Sequence, residues 1–214
     1  MSAEAFRDRL LGRLVPADVS LTADQIEALA EYWRLLERWN SRINLTSLPL
    51  RDYPSGSLDR LIVEPVLASP LMPATPINWY DLGSGGGSPA IPLKILAPMA
   101  SLIMVESRSR KAAFLREVAR SLGLTESARV EARRFEDLSA ERDGTADCLT
   151  FRAVRADTAF ATALTRLASA RAQVILFESV ESATEIRDFE PLRSIALPAT
   201  SSVARLLVPR GTKG

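Results

Sequence analysis

The chain of 214 residues contains no histidine, and that absence excludes more than any other feature of its composition. Without imidazole there is no Ser-His-Asp or Cys-His catalysis, no histidine zinc site, and the commonest general base is missing. Cysteine is nearly absent as well. Cys148 stands alone, which rules out an internal disulfide and a thiolate metal cluster, and its apolar strand-like surroundings read as core. No apolar run approaches the roughly 18–20 residues that a membrane span needs. The first 13 residues are charged throughout and lack the apolar centre of a secretory signal, so the cytoplasm is the expected location. The net charge of +1 is too small to argue for a nucleic-acid partner from the total.

What is present is ordinary for a globular domain with a substantial core: 47% hydrophobic and 25% charged residues. The basic residues are mostly arginine and concentrate between Arg108 and Arg155, a side chain suited to phosphate and base stacking. Arg108, Arg110 and Lys111 open a predicted helix, where the dipole disfavours positive charge, and that misfit points outward to phosphate.

Residues 20–40 read as an amphipathic helix capped by Ser20 or Thr22, with Ile26, Leu29, Ala30, Trp33 and Leu36 on one face. Turn-forming residues follow, in which Asn44 and Thr46 are candidate caps for the next element. A loop over 49–56, a short helix over 58–68 interrupted by Pro65, and a stiff linker at Pro70, Pro73 and Pro76 complete the N-terminal part. Strands are then expected at 77–80, 101–105, 128–132, 146–151 and 173–177, with helices at 108–122 and 157–170 and a closing antiparallel pair at 191–197 and 202–208. Strands separated by helices imply a mainly parallel sheet covered on both faces. Residues 207–211, L-V-P-R-G, either finish the last strand or derive from a tag.

The chain is organised around residues 79–92, W-Y-D-L-G-S-G-G-G-S-P-A-I-P. An apolar strand stops at Asp81 and gives way to four glycines in five residues, after which Ser88 is placed to cap a helix with Pro89 in its first turn. Strand, glycine loop and helix start predict a nucleotide cradle of backbone amides. Glu106, at the end of the next strand, is spaced as the acid that meets ribose hydroxyls in Rossmann-like sites. The spacing Gly85, Gly87, Ala90 formally fits a dinucleotide fingerprint. Asp81, Gly83, Gly85 and Gly87 fit better the first motif of class I S-adenosylmethionine-dependent methyltransferases, D-x-G-x-G-x-G.

Taken together, W-N-S-R-I-N-L-T (39–46), D-L-G-S-G-G-G-S-P-A-I-P-L (81–93), V-E-S-R-S-R-K-A-A-F-L-R-E-V (105–118) and F-R-A-V (151–154) resemble the bacterial small-subunit rRNA guanine-N7 methyltransferase family, also called glucose-inhibited division protein B. The resemblance implies an α/β, Rossmann-like methyltransferase fold with a seven-stranded sheet, residues 77–214, and an N-terminal helical extension, residues 1–76. It implies methyl transfer from S-adenosylmethionine to nitrogen 7 of a guanine in 16S rRNA, on naked RNA or the 30S subunit; a monomer is the expected state. It places the cofactor on Asp81, Gly83, Ser84, Gly85 and Ser88, with Glu106 and Ser107 at the ribose, Phe135 and Glu136 around the adenine, and Arg152 near the methionine end. Arg108, Arg110, Lys111 and Arg155 would face RNA. On the residues alone, Phe135 is equally a core aromatic and Glu136 a helix N-terminal acid, whereas Arg152, just past a strand's carboxyl end, is better placed to pair with a cofactor carboxylate than to form a surface ion pair. No catalytic residue is singled out, because guanine N7 carries a lone pair and no proton.

The chain departs from the family pattern in three places. An Arg-His pair is replaced around Asp59-Arg60-Leu61 with Glu64-Pro65 behind it, the loop reads Gly87-Ser88-Pro89-Ala90, and a Lys-Gly after the fifth strand is Glu178-Ser179. These departures leave a second reading, a chain that binds S-adenosylmethionine or RNA without turnover. The Gly85-Gly87-Ala90 spacing leaves a third, a NAD-dependent oxidoreductase.

Overall fold

A computed structural model describes residues 3–17, 19–75, 77–152, 158–181, 184–197 and 202–211. The first element has no counterpart among the expected ones: α1, Ala3–Leu14, whose Phe6, Leu10 and Leu14 are buried at four-residue spacing. Helix α2, Ala23–Asn40, starts at Thr22 with a full capping box, Gln25 N–H donating to Thr22 Oγ1 at 3.2 Å and Thr22 N–H to Gln25 Oε1 at 2.9 Å. Its end is tied by Asn40, whose Oδ1 accepts from Leu45 and Thr46 N–H at 2.9 and 3.0 Å. Asn40 thus does the work expected of Asn44, while Thr46 does accept from Leu48 N–H.

Helix α3, Ser55–Leu58, continues into a π-helical turn, Asp59–Val63, and then α4, Glu64–Ala68. Pro65 therefore does not break the helix. It sits in the first turn of α4, where no N–H is needed, and the wider turn precedes it, with Glu64 N–H reaching back to Asp59 O. The base of this turn is clamped by Arg13, which holds buried Asp59 through two bonds of 2.7 and 2.5 Å.

The sheet and its helices follow: β1 Asn78–Leu82, α5 Ala90–Leu96, β2 Ser101–Val105, α6 Ser109–Ser121, β3 Ala128–Glu131, α7 Ala140–Asp143, β4 Ala146–Arg152, α8 Thr158–Leu167, β5 Ala168–Ser179, β6 Phe189–Leu197 and β7 Ser202–Pro209. The order is β3-β2-β1-β4-β5-β7-β6, with β1 to β5 parallel and β7 antiparallel to both neighbours. This is the expected mainly parallel seven-stranded sheet. Leu207 is buried opposite Val174, so 207–209 complete the last strand.

Alternation sorts the side chains. Trp79 and Asp81, Cys148 and Thr150, and Ile175 and Phe177 lie toward the N-terminal helices, α5 and α6; Tyr80, Leu149, Phe151 and Leu176 pack with Phe160 and Leu164 of α8 on the other face. The strand order reverses between β1 and β4, and their carboxyl ends open a crevice on the first face.

Candidate active site

That crevice is a cavity of about 490 Å³. One wall is the loop after β1, with Gly83, Ser84, Gly85, Gly86 and Ser88; the other is the N-terminal part, with Leu36, residues 45–48, Arg60 and Leu61, and Arg152 joins them from the end of β4. Of the residues assigned to the cofactor, Gly83, Ser84, Gly85, Ser88 and Arg152 line this one space. The opposite wall takes only Leu45 and Thr46 from the segment W-N-S-R-I-N-L-T; Leu36, Ser47, Leu48, Arg60 and Leu61, which no sequence signal places at a site, complete it.

Three expectations for the loop need correction. Asp81 does not end the strand and is not among the residues lining the cavity: it is the fourth residue of β1, 1% exposed, and its Oδ1 accepts from Thr150 Oγ1 at 2.5 Å while Trp79 Nε1 donates to the same hydroxyl at 2.8 Å. Burial lifts the Asp81 carboxyl to about 6, against the lowering pull of Ser84, Thr150 and Arg152. Second, the loop amides are largely spent within the protein. Gly83 and Ser84 N–H donate to Val105 O, Gly85 N–H to Glu106 Oε2, and Gly87 N–H to Ser84 O. Third, Ser88 caps nothing. Pro89 occupies the cap position of α5, and the buried Ser88 Oγ has no hydrogen-bond partner among the described residues.

The loop keeps its shape because α2 grips it. Buried Tyr32 donates its hydroxyl to Gly86 O at 2.7 Å, and desolvation raises its pKa far above that of free tyrosine. Gly87 has φ +91, and a Cβ there would meet Ile91 Cγ1 at 3.0 Å, Leu115 Cδ2 at 3.3 Å and Tyr32 Cε2 at 3.4 Å. Glu106, 7% exposed, stands behind the loop rather than among the residues lining the cavity; it accepts Gly85 N–H at 2.9 Å and Arg108 N–H at 2.7 Å, one on each oxygen, so each oxygen retains a further lone pair.

Arg152 is the buried cation of the site. Its side chain is 8% exposed, its Nη1 donates to Arg60 O, its Nη2 lies 3.0 Å from Glu64 Oε2, and its guanidinium stacks 4.5 Å over the Phe177 ring. Neither Nε nor Nη2 has an aligned hydrogen-bond partner among the described residues. Burial lowers its pKa to about 10, partly countered by Glu64, so it stays protonated at neutral pH. Glu64, wholly buried, also takes Arg60 Nη1 at 3.1 Å.

The remaining assignments lie apart from this cavity. Ser107 is exposed in the turn before α6. Phe135 and Glu136 form part of a 3-10 turn, Phe135–Asp137, and Phe135 packs edge-on against Phe160, ring centres 5.4 Å apart, on the opposite face. Arg108 and Arg110 are exposed and Lys111 half-buried in the first turn of α6, whereas Arg155 lies outside the described residues. Glu178, the charge reversal, is buried in β5 and paired with Arg205 of β7, so it is neutralised within the fold. No group of side chains that could hold a metal ion occurs among the described residues, nor is any of their helices long and apolar enough to cross a membrane.

The family model described as GidB, rRNA small subunit methyltransferase G, matches residues 25–206. The ribosomal RNA small subunit methyltransferase G of Stenotrophomonas maltophilia is 39% identical over 140 residues, 64% of this chain and 61% of that protein. That of Lactococcus lactis subsp. lactis is 32% identical over 151 residues, 69% of this chain and 62% of that protein. The counterpart from Sodalis glossinidius is 36% identical over 125 residues, 58% of each. The chain thus spans about three fifths of the length of these curated relatives. Among solved structures, the putative methyltransferase yhhF from Escherichia coli superposes with a TM-score of 0.56 at 16% identity, over 70% of this chain and 87% of that one. A SAM-dependent methyltransferase from Aquifex aeolicus gives 0.55 at 14% identity, over 73% and 94%. These two likenesses establish the fold.

Proposed function

Since the chain belongs to the GidB family of rRNA small subunit methyltransferases G, matched over residues 25–206, we propose that it transfers a methyl group from S-adenosylmethionine to nitrogen 7 of a guanine in 16S rRNA. The observation that carries the reading is the cavity at the carboxyl ends of β1 and β4, where a glycine loop faces a buried guanidinium whose Nε and Nη2 lack aligned partners. A zwitterionic nucleoside fits these residues. Arg152 would pair with the amino-acid carboxylate, Ser88 Oγ would gain a partner, Gly83, Ser84 and Gly85 would leave room beside the backbone, and Glu106 would take ribose hydroxyls. Ser107, Phe135 and Glu136 would belong to the adenosine end, beyond the cavity itself.

S-adenosylmethionine, when bound, supplies an electrophilic methyl group on a sulfonium. The chain's own part is positioning. Guanine N7 needs no proton removed, so a site without histidine suffices if it aligns the base and excludes water. The wall from α2 and residues 45–48 would provide that exclusion. Arg108, Arg110 and Lys111, exposed or half-exposed beside Glu106, would meet RNA phosphates.

The test has two steps. A thermal-shift panel with S-adenosylhomocysteine, S-adenosylmethionine and NAD should show stabilisation by the first two only. Labelled methyl groups should then appear in 30S subunits or naked 16S rRNA, at a guanine located by base mapping. Binding of S-adenosylhomocysteine without transfer to either RNA would favour a non-catalytic relative, and a shift with NAD alone would overturn the reading.

A further inference from the structure

We propose that Arg60 receives a phosphate of the target nucleotide, an assignment that rests on the RNA-methylating reading above. Arg60 and Arg152 are the charged residues lining the cavity, and both lean on the same oxygen, Glu64 Oε2, at 3.1 and 3.0 Å. One buried carboxylate is shared by the two guanidiniums; Arg152 also lies in the field of buried Asp81, whereas Glu64 is the ion-pair partner of Arg60 among the described residues.

The two cations differ in how they are held. Arg152 is sunk beneath the surface at 8% exposure, whereas the Arg60 side chain is 28% exposed. Only Nη1 of Arg60 is engaged, on Glu64 and, at 3.4 Å, on Ser202 Oγ; its Nε and Nη2 have no hydrogen-bond partner among the described residues. The backbone beneath is fixed from both sides, by the Arg13–Asp59 clamp and by Arg152 donating to Arg60 O. A π-helical turn presents the side chain, a departure from regular helix that recurs at functional sites.

A planar fork with one free edge, Nε and Nη2, matches a phosphate better than a base. The one strong acceptor a guanine could offer beside O6 is N7, and a donor bound there would block the reacting lone pair. The phosphate attached to the target nucleoside carries a full charge and leaves N7 free.

The experiment compares the whole wild-type chain with Arg60→Gln and Arg60→Lys, each checked for folding by thermal melting. Equilibrium binding is measured to naked 16S rRNA over a salt series, and separately to S-adenosylhomocysteine. Arg60→Gln should weaken RNA binding about tenfold and reduce the slope of log K against log salt by about 0.7. Affinity for S-adenosylhomocysteine should stay within about twofold, and Arg60→Lys, a point-charge phosphate binder, should recover the slope. Should Arg60→Gln fail to fold because Glu64 loses a partner, Arg60→Gln/Glu64→Gln removes both groups and should show the same loss of slope. An unchanged slope, or a loss confined to S-adenosylhomocysteine, overturns the proposal. RNA binding that depends on Arg60 without any methyl transfer would refute the proposed reaction but not this assignment; a wild-type chain that binds no 16S rRNA would end both.

Discussion

A carboxylate buried in the strand before a glycine loop has a cost that pH can reveal. Asp81 is raised to about 6 chiefly by desolvation, while in the unfolded chain it titrates near its ordinary value of 3.8. As pH rises through the window from about 4 to 6, the unfolded state gives up this proton before the folded state does. The stability that Asp81 contributes in acid is therefore lost over that window, by about 3 kcal/mol for a two-unit shift. Asp81→Asn keeps an acceptor for Thr150 and removes the ionisation. Urea denaturation across that range and at neutral pH should show the variant gaining on wild type, by up to about 3 kcal/mol at neutrality. A constant difference across that range would contradict the account. Glycine supplies a second residue-scale contrast. At Gly87 a methyl group meets Ile91 Cγ1 at 3.0 Å with φ at +91, whereas at Gly123, φ +66, a Cβ meets nothing within 4 Å. Gly87→Ala should cost about 2–4 kcal/mol and Gly123→Ala about 1 kcal/mol, read from chemical denaturation; equal costs would mean that the crowding around Gly87 is relieved elsewhere.

At the scale of elements, the glycine loop owes its shape to a helix far from it in sequence. Tyr32 of α2 reaches Gly86 O across 54 positions, and Leu36 and Leu45 cover the same glycine. Tyr32→Phe leaves a carbonyl without its donor at a cost of about 1–3 kcal/mol. Amide exchange at Gly85 to Gly87 should speed up more than at the β-sheet core, whereas uniform acceleration would mean only global destabilisation. This dependence explains which parts of the site were legible beforehand. Strand β2 is legible to the residue, α2 and the β6–β7 pair to within a few, because periodicity and capping are local signals. Helix α1 was legible in Phe6, Leu10 and Leu14 but was obscured by its charges. The early start of β5 at Ala168 was not, since that part pairs with β4 across an irregular register. Arg152 could be placed from its strand end, but Glu64, Arg60 and Tyr32 join the site only through contacts that no spacing rule carries. Asp81 was misread because a polar residue before glycines looks like a strand end, and only Thr150 and Trp79 on the neighbouring positions give it a buried place.

For the whole molecule, the boundary drawn at residue 76 separates sequence patterns more than it separates structure. One hydrophobic cluster runs from Phe6 and Leu10 through Trp33, Leu36, Ile62 and Val66 into Trp79, Ile91, Phe114 and Ile175. The N-terminal helices therefore form one side of the same core as the sheet, and the cavity exists only where the two meet. A layer that supplies half of a core cannot be removed without exposing the other half. The three tryptophans allow a direct measurement, since Trp33 and Trp39 lie in α2 and Trp79 in β1. In a Trp33→Phe/Trp39→Phe chain, fluorescence follows the sheet; in Trp79→Phe it follows the extension. Their urea transitions should coincide with each other and with circular dichroism, as for a single cooperative unit. A chain reduced to residues 77–214 should bind hydrophobic dyes and melt without a sharp transition. Separate midpoints for the two fluorescent reporters, or a sharply melting fragment, would mean that the extension is a removable cover and that the cavity is assembled by docking two independently stable parts.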